Sequence, residues 1–258
     1  MGSASQRTDD THADTDTAKR RRKVWAVFLL PLAITGIFFA VGVSRYAAMP
    51  EVIPTHWGPD GTPDAHSDKS FWSVFSPLLI GPGAAIFFAF AALATSALAL
   101  ESPEPTLWRK YQREGSYRAN IFILGLIAAL IALLIGTVCV AAWRGVGSFE
   151  PWPVAVFVVV VLGIILVGYP AGQRWARRHA RDAGVQPSPE EIVEDEKWVA
   201  GGLYRDADDP RVLVPKRDGQ GVGTTLNIGS AAGKAVATAL LVLVLAVPVG
   251  LTIAALFN

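Results

Sequence analysis

Five apolar runs limit what this chain can become. Each approaches the roughly 20 residues that cross ~30 Å of hydrocarbon, and they fall at Val24 to Ala48, Val74 to Leu100, Asn120 to Trp143, Val154 to Gly172 and Ala235 to Phe257. Inside lipid no water is available to the backbone, so each run must pair its N–H and C=O groups within itself, and a helix does this. The fourth run is the shortest. Composition agrees: 52% of residues are apolar, 17% are charged and the mean hydropathy is +0.37, on the lipid-soluble side of an ordinary globular domain. The expected fold is an all-α polytopic membrane protein of about five transmembrane helices with a small cytoplasmic β-rich insert.

Basic residues in short loops stay on the cytoplasmic side. The run Lys19 to Lys23 therefore places the N-terminus inside. Arg109, Lys110, Arg113 and Arg118 between the second and third runs, and Arg174, Arg177, Arg178 and Arg181 after the fourth, mark two further cytoplasmic connections. The stretch 49–73 and the short link from Arg144 to Pro153 then lie outside, and five crossings put Asn258 outside too. The first run is longer than the roughly 7–15 residues of a signal-peptide core and reads as a signal anchor. The expected location is the plasma membrane, multi-pass, with the lipid bilayer as first partner.

Four parts follow from this. Residues 1–23 form a polar tail too poor in large apolar groups to offset the entropy of ordering, so disorder is expected there. Residues 24–172 make a four-helix membrane domain. Residues 173–234 begin with "RWARRHARDAG", a basic extension of the fourth helix; Gly184 should end it, and Ser188 can cap a short acidic helical turn. The rest of that part, "KWVAGGLYRDADDPRVLVPKRDGQGVGTTLNIG", mixes Val and Tyr runs with Asp-Pro and Asp-Gly turn signals and reads as a two- or three-strand meander. A sheet that small is marginal alone, so Trp198, Tyr204, Val212 and Val214 should pack on the helix ends or the membrane interface. Residues 235–258 are the fifth span.

Function classes narrow next. None of the runs carries Asp, Glu, Lys or His near its centre, which argues against a proton relay or charge-coupled transporter. Paired aspartates, a His-Glu cluster and a Ser-His arrangement are all missing from the runs, so intramembrane proteolysis has no machinery and the chain reads as non-enzymatic. The lone Cys139 sits in the third run as a small packing residue. The net charge of +1 is spent on topology and does not suggest nucleic acid as a partner. The glycines of the insert lack the GK[ST] that a phosphate loop needs, and no cofactor is implied. Gly36, Gly42, Gly125, Ala128, Ala132 and Gly136 offer surfaces for close helix approach, and Pro31, Pro82 and Pro248 should bend their helices.

The most informative polar stretch is "MPEVIPTHWGPDGTPDAHSDKSFW", 49–72. Its prolines hold neighbours extended and Asp60-Gly61 signals a turn, so the loop should be compact and specifically folded. Three readings stay open. His56, His66, Asp60, Asp64 and Asp68 are ligand types that suit zinc or copper, though without HExxH spacing; the loop could instead be a recognition surface, or a plain connector.

Placed after a first span and before a Pro-containing second one, this stretch resembles the N-terminal membrane domain of the SdpI-type bacteriocin-immunity family. The pattern P-x-x-[IV]-P-x-H-[FW]-x-x-x-G-x-[PA]-D…K is matched by Pro50, Ile53, Pro54, His56, Trp57, Gly61, Pro63, Asp64 and Lys69. The insert resembles a second bacterial module of the form W-x-x-G-x-x-Y…D-P…V…G…T-x-N, through Trp198, Gly201, Tyr204, Asp209, Pro210, Val214, Gly219, Thr225 and Asn227. The C-terminal membrane region of the immunity proteins has no counterpart here. The resemblance implies a non-enzymatic bacterial plasma-membrane protein that senses or resists a secreted peptide or envelope component through Pro54, His56, Trp57, Gly61, Pro63, Asp64 and Lys69. The insert would then meet a cytoplasmic protein. A small transporter or permease subunit, and a structural membrane protein, are the alternatives.

Overall fold

The computed structural model describes residues 23–58, 61–97, 105–146, 148, 152–199, 202–217 and 223–257. Residues 1–22 of the tail expected to be disordered, the Pro59-Asp60 pair and Gly201 lie outside the described residues, and so do Asp218 and Gly219. The chain is mostly helical. Four helices are long and apolar enough to cross a membrane: Lys23–Ala48, Phe71–Thr95, Leu107–Trp143 and Trp152–Asp182. This is the architecture of a multi-pass membrane protein.

The first of these is α1 (Leu29–Arg45), flanked by 3-10 turns at Ala26–Phe28 and Tyr46–Ala48. The second is a short α2 (Phe71–Phe75), a 3-10 turn at Ser76–Leu79 and α3 (Ile80–Ala97). Pro31 and Pro82 each occupy the third position of an α segment that follows a 3-10 turn. There the missing proline N–H falls at the change of hydrogen-bond pattern rather than in an established ladder. The side chain of Pro248 lies outside the described set, whereas Pro170 is inside its helix.

α4 (Leu107–Trp143) is the centre of the bundle, packed by α1, α3 and α5 (Trp152–Asp182). At 37 residues it is about 56 Å long, well beyond what hydrocarbon requires. It begins thirteen residues before the apolar run, so Arg109, Lys110, Arg113 and Arg118 lie on a helix and not in a loop as expected. Thr106 caps its start, accepting from the Arg109 N–H at 3.2 Å. The fourth span is likewise longer than its apolar run: the basic stretch continues α5 to Asp182, and Gly184, at φ +72°, ends it.

Small residues make the bundle tight. A Cβ on Gly125 would lie 2.3 Å from Val27, on Gly136 2.1 Å from Phe38, and on Gly42 2.6 Å from Phe75. Ala128 and Ala132 are buried on the same helix. Gly36 departs from this expectation and faces open space. Its position is a solvent or lipid face of α1, which a residue count alone does not distinguish from the packed one.

The final helix, α7 (Ala231–Phe257), rests chiefly on α5. α7 runs 27 residues, and among the residues whose side chains are described four of the five expected spans are long and apolar enough to cross a membrane.

β structure departs from expectation at both ends of α4. The stretch 49–73 contains an antiparallel hairpin, β1 (Val52–Trp57) with β2 (Pro63–Asp68), so the helical membrane domain carries a sheet of its own. The insert is not a meander but two separate ribbons. β3 (Trp198–Val199) pairs with β4 (Leu203–Tyr204), and β5 (Leu213–Pro215) pairs with β6 (Thr224–Leu226). A single parallel bridge from Tyr204 to Asn227 joins them. The ribbons are too short and too glycine-rich to extend a common ladder.

Candidate functional site

The hairpin is fixed at its base. β1 turns Ile53, 2% exposed, into a cluster with Met49, Val74, Phe75, Leu78, Cys139, Ala142 and Trp143. Trp57 packs against the edge of this cluster. Trp143 at the end of α4 donates Nε1–H to the Val74 carbonyl at 3.3 Å, and the Phe75 ring lies 4.9 Å from Phe39 and 6.0 Å from Trp143. Lys69 locks the base: its ammonium donates to the Met49 carbonyl at 3.1 Å and to Glu51 at 2.6 Å, and sits 5.9 Å from the Tyr46 ring centre. A lysine only 13% exposed needs such partners, because an unpaired buried ammonium is costly.

Pro54 and Pro63 are tolerated because a two-stranded ribbon has edges on both sides. Gly61 takes φ +78° and donates to the Gly58 carbonyl at 2.9 Å, closing the turn. The register shifts between Pro54 and His56 and again between His56 and Trp57, an irregularity that twists a strand and re-aims its side chains. His56 Nδ1 lies 2.5 Å from the Asp64 carboxylate, with the two side chains 69% and 51% exposed. The seven residues singled out here thus gather in one element: Lys69 holds it, Gly61 turns it, Pro54, Trp57 and Pro63 frame it, and His56 and Asp64 project from it. Among the described residues, no three of His, Cys, Asp and Glu come together in a way that could hold a metal ion. His56 and Asp64 make a hydrogen-bonded pair.

At the other end of α4, α6 (Pro189–Glu196) and the two ribbons form a second site. Ser188 caps α6 in a reciprocal box with Glu191, as expected. Trp198 and Tyr204 meet edge to face at 5.3 Å, and Trp198 donates to Glu194 at 2.7 Å. Asn227 is fully buried with every side-chain bond made to backbone: Oδ1 accepts from Asp206 and Gly229 N–H groups at 3.1 and 2.9 Å, and Nδ2 donates to the carbonyls of Asp206 and Asp209 at 2.9 and 2.8 Å. A Cβ on Gly229 would lie 2.4 Å from the Asp206 nitrogen. These contacts make Asn227 a structural keystone. Asp209, preceding Pro210, is gripped by Arg211, whose hydrogen bonds hold its carboxyl down at about 2, and Lys197 likewise holds Asp206 below the ordinary carboxylate value.

The residues that attach this module to the bundle carry no local sequence signal. Asp195 on α6 accepts from Trp108 Nε1–H at 3.0 Å and Gln112 Nε2–H at 2.5 Å, both on α4, and the Arg217 guanidinium lies against its other oxygen. Burial pushes the Asp195 carboxyl above its ordinary value, while the Trp108 and Gln112 bonds and the charges of Arg109 and Arg177 pull it back. Glu191 accepts from the Thr106 hydroxyl at 2.5 Å and faces Arg109 at 3.7 Å. More than eighty residues separate the two sides, so only the fold brings them together.

Comparison with known proteins agrees with the hairpin as the recognisable part. A family described as a domain of unknown function (DUF1648) matches residues 33–81, from the middle of the first helix through the hairpin to the start of α3. No curated protein matches the chain, and no solved structure does.

Proposed function

We propose that this is a non-enzymatic bacterial plasma-membrane protein that recognises or resists a secreted peptide or envelope component through the β1–β2 hairpin. The observation that carries the reading is the division of labour in that hairpin. Ile53 and Lys69 fix its base, while His56 and Asp64, already paired and pointing outward, present a preorganised donor and acceptor. The basic residues Lys23, Arg109, Lys110, Arg113, Arg174, Arg177, Arg178 and Arg181 flank the ends of the spans away from the hairpin, and this charge bias supports a cytoplasmic N-terminus and α6 module with the hairpin outside. With α7 as a fifth crossing, the C-terminus also lies outside. The module, held to the same α4, is then the surface a cytoplasmic protein meets.

The test is survival of a deletion strain challenged with the organism's own secreted peptides. Wild type is expected to protect, and His56→Ala with Asp64→Ala, at equal abundance in the membrane, is expected not to. Equal survival of all three strains removes the reading. Crosslinkers placed at His56 or Asp64 should also capture an external partner.

A further inference from the structure

A side-facing trough lies between the first helix, α4 and α5, on a part of the bundle remote from the hairpin. It is formed by two adjoining cavities of about 610 and 660 Å³ that share Val24, Arg118, Phe122 and Trp175, each within the range of roughly 300–1,000 Å³ typical of ligand pockets. Its walls are almost wholly apolar, and Phe122, Val167 and Leu30 along it are half to two-thirds exposed. Its floor is low because α5 supplies Gly163, Gly168 and Gly172.

The trough has direction. From Trp175 to Val160 it follows α5 for about 22 Å, enough to run from the headgroup level through the ~15 Å of hydrocarbon in one leaflet. Its apolar end lies inside the bundle's membrane zone, and its polar end is basic. Lys23 lines the mouth, and the Arg118 guanidinium stacks 4.3 Å over the Trp175 ring while paired with Glu114 at 2.8 Å. Arg174 and Arg178 are exposed beside Trp175 on the same helix. A tryptophan beside cations at one end of an apolar channel is the arrangement expected where hydrocarbon gives way to headgroups, and basic pockets between membrane helices suit anionic lipid heads.

The geometry points to this trough as a seat for one anionic glycerophospholipid, its phosphate beside Lys23 and Trp175 and an acyl chain lying over Gly163 and Gly168. Length, apolarity and charge each match that occupant. A second protein helix would match the apolar walls but gains nothing from the cationic mouth.

Gly163 makes the idea testable, because a Cβ added there meets nothing within 4 Å. Gly163→Phe therefore fills the trough without displacing the bundle, and Lys23→Gln removes charge from the mouth. The full chain is reconstituted in nanodiscs of equal parts phosphatidylglycerol and phosphatidylcholine, released, and its retained lipids weighed by native mass spectrometry. Wild type is expected to keep one phosphatidylglycerol with at least tenfold preference. Gly163→Phe should lose the retained lipid while keeping its thermal unfolding midpoint, and Lys23→Gln should lose the preference. Equal retention of both lipids by wild type, or unchanged retention by Gly163→Phe, overturns the assignment. So does a wild-type dimer that Gly163→Phe converts to monomer, since a second copy then fills the trough.

Discussion

The β1–β2 hairpin and the α6 module are both small sheets fastened to ends of one helix, and they are fastened by opposite chemistry. Ile53 and its aromatic neighbours seat the hairpin in an apolar cluster with one cation at the rim. The module is fixed by a half-buried carboxylate that gathers Trp108 and the buried Gln112 and Arg217. Apolar contact is non-directional and degrades gradually as groups are removed. A buried polar joint is all or nothing, because removing one member leaves the others desolvated and unpaired. The hairpin joint therefore tolerates variation in shape, and the module joint demands one geometry.

Substitution at Asp195 gives the sharpest contrast. Asp195→Ala strands the Arg217 guanidinium and the Gln112 amide, and the expected cost is about 3–5 kcal/mol, read as accelerated hydrogen exchange across α6 to β6 with the hairpin unchanged. If exchange rises at the hairpin as well, the two ends are not independent fastenings. Ile53→Ala is expected to cost about 2–4 kcal/mol from lost burial and the cavity left behind, seen as exchange confined to β1 and β2. Combined with Asp195→Ala it should add without interaction, as distant sites do. A smaller effect, under about 1 kcal/mol, is expected for His56→Ala, since exposed side-chain pairs contribute little whether charged or neutral. Thermal unfolding unchanged alongside lost protection would separate recognition from stability at the hairpin.

Acid should probe the module with the least effect. Asp206 and Asp209 are depressed by Lys197 and Arg211. Their stabilisation is present above the ordinary carboxylate value of 3.8 and is lost as pH falls toward about 2 at Asp209. The NMR signal of the Trp198 indole N–H, beside Tyr204, should shift over that window in the wild-type protein. A change complete by pH 4 would contradict the assigned ion pairs.

The helices were legible because crossing lipid demands long apolar runs, and the Ser188 cap because its chemistry is local. The length of α4 was not: Arg109 to Arg118 read as a loop by charge, yet a helix projecting past the hydrocarbon can carry charges freely. The prolines and the Asp60-Gly61 turn signal make a compact loop legible, but not its strands. Proline and aspartate are poor strand formers, and the apolar seat for Ile53 that makes pairing worthwhile is built by distant residues. Gly61 and Lys69 could be found from turn chemistry and pattern. Asp195 could not, since its partners lie more than eighty residues away.

The uninterrupted α4 has a mechanical consequence. From Trp108 to Trp143 it is a stiff rod of about 52 Å, so tipping it by a single degree about the Trp143 end moves the indole of Trp108 by about 1 Å. Hydrogen bonds keep their strength over only about 0.5 Å of stretch. The packing of α1, α3 and α5 along the rod must therefore hold it to within about half a degree for the Asp195 clasp to stay closed.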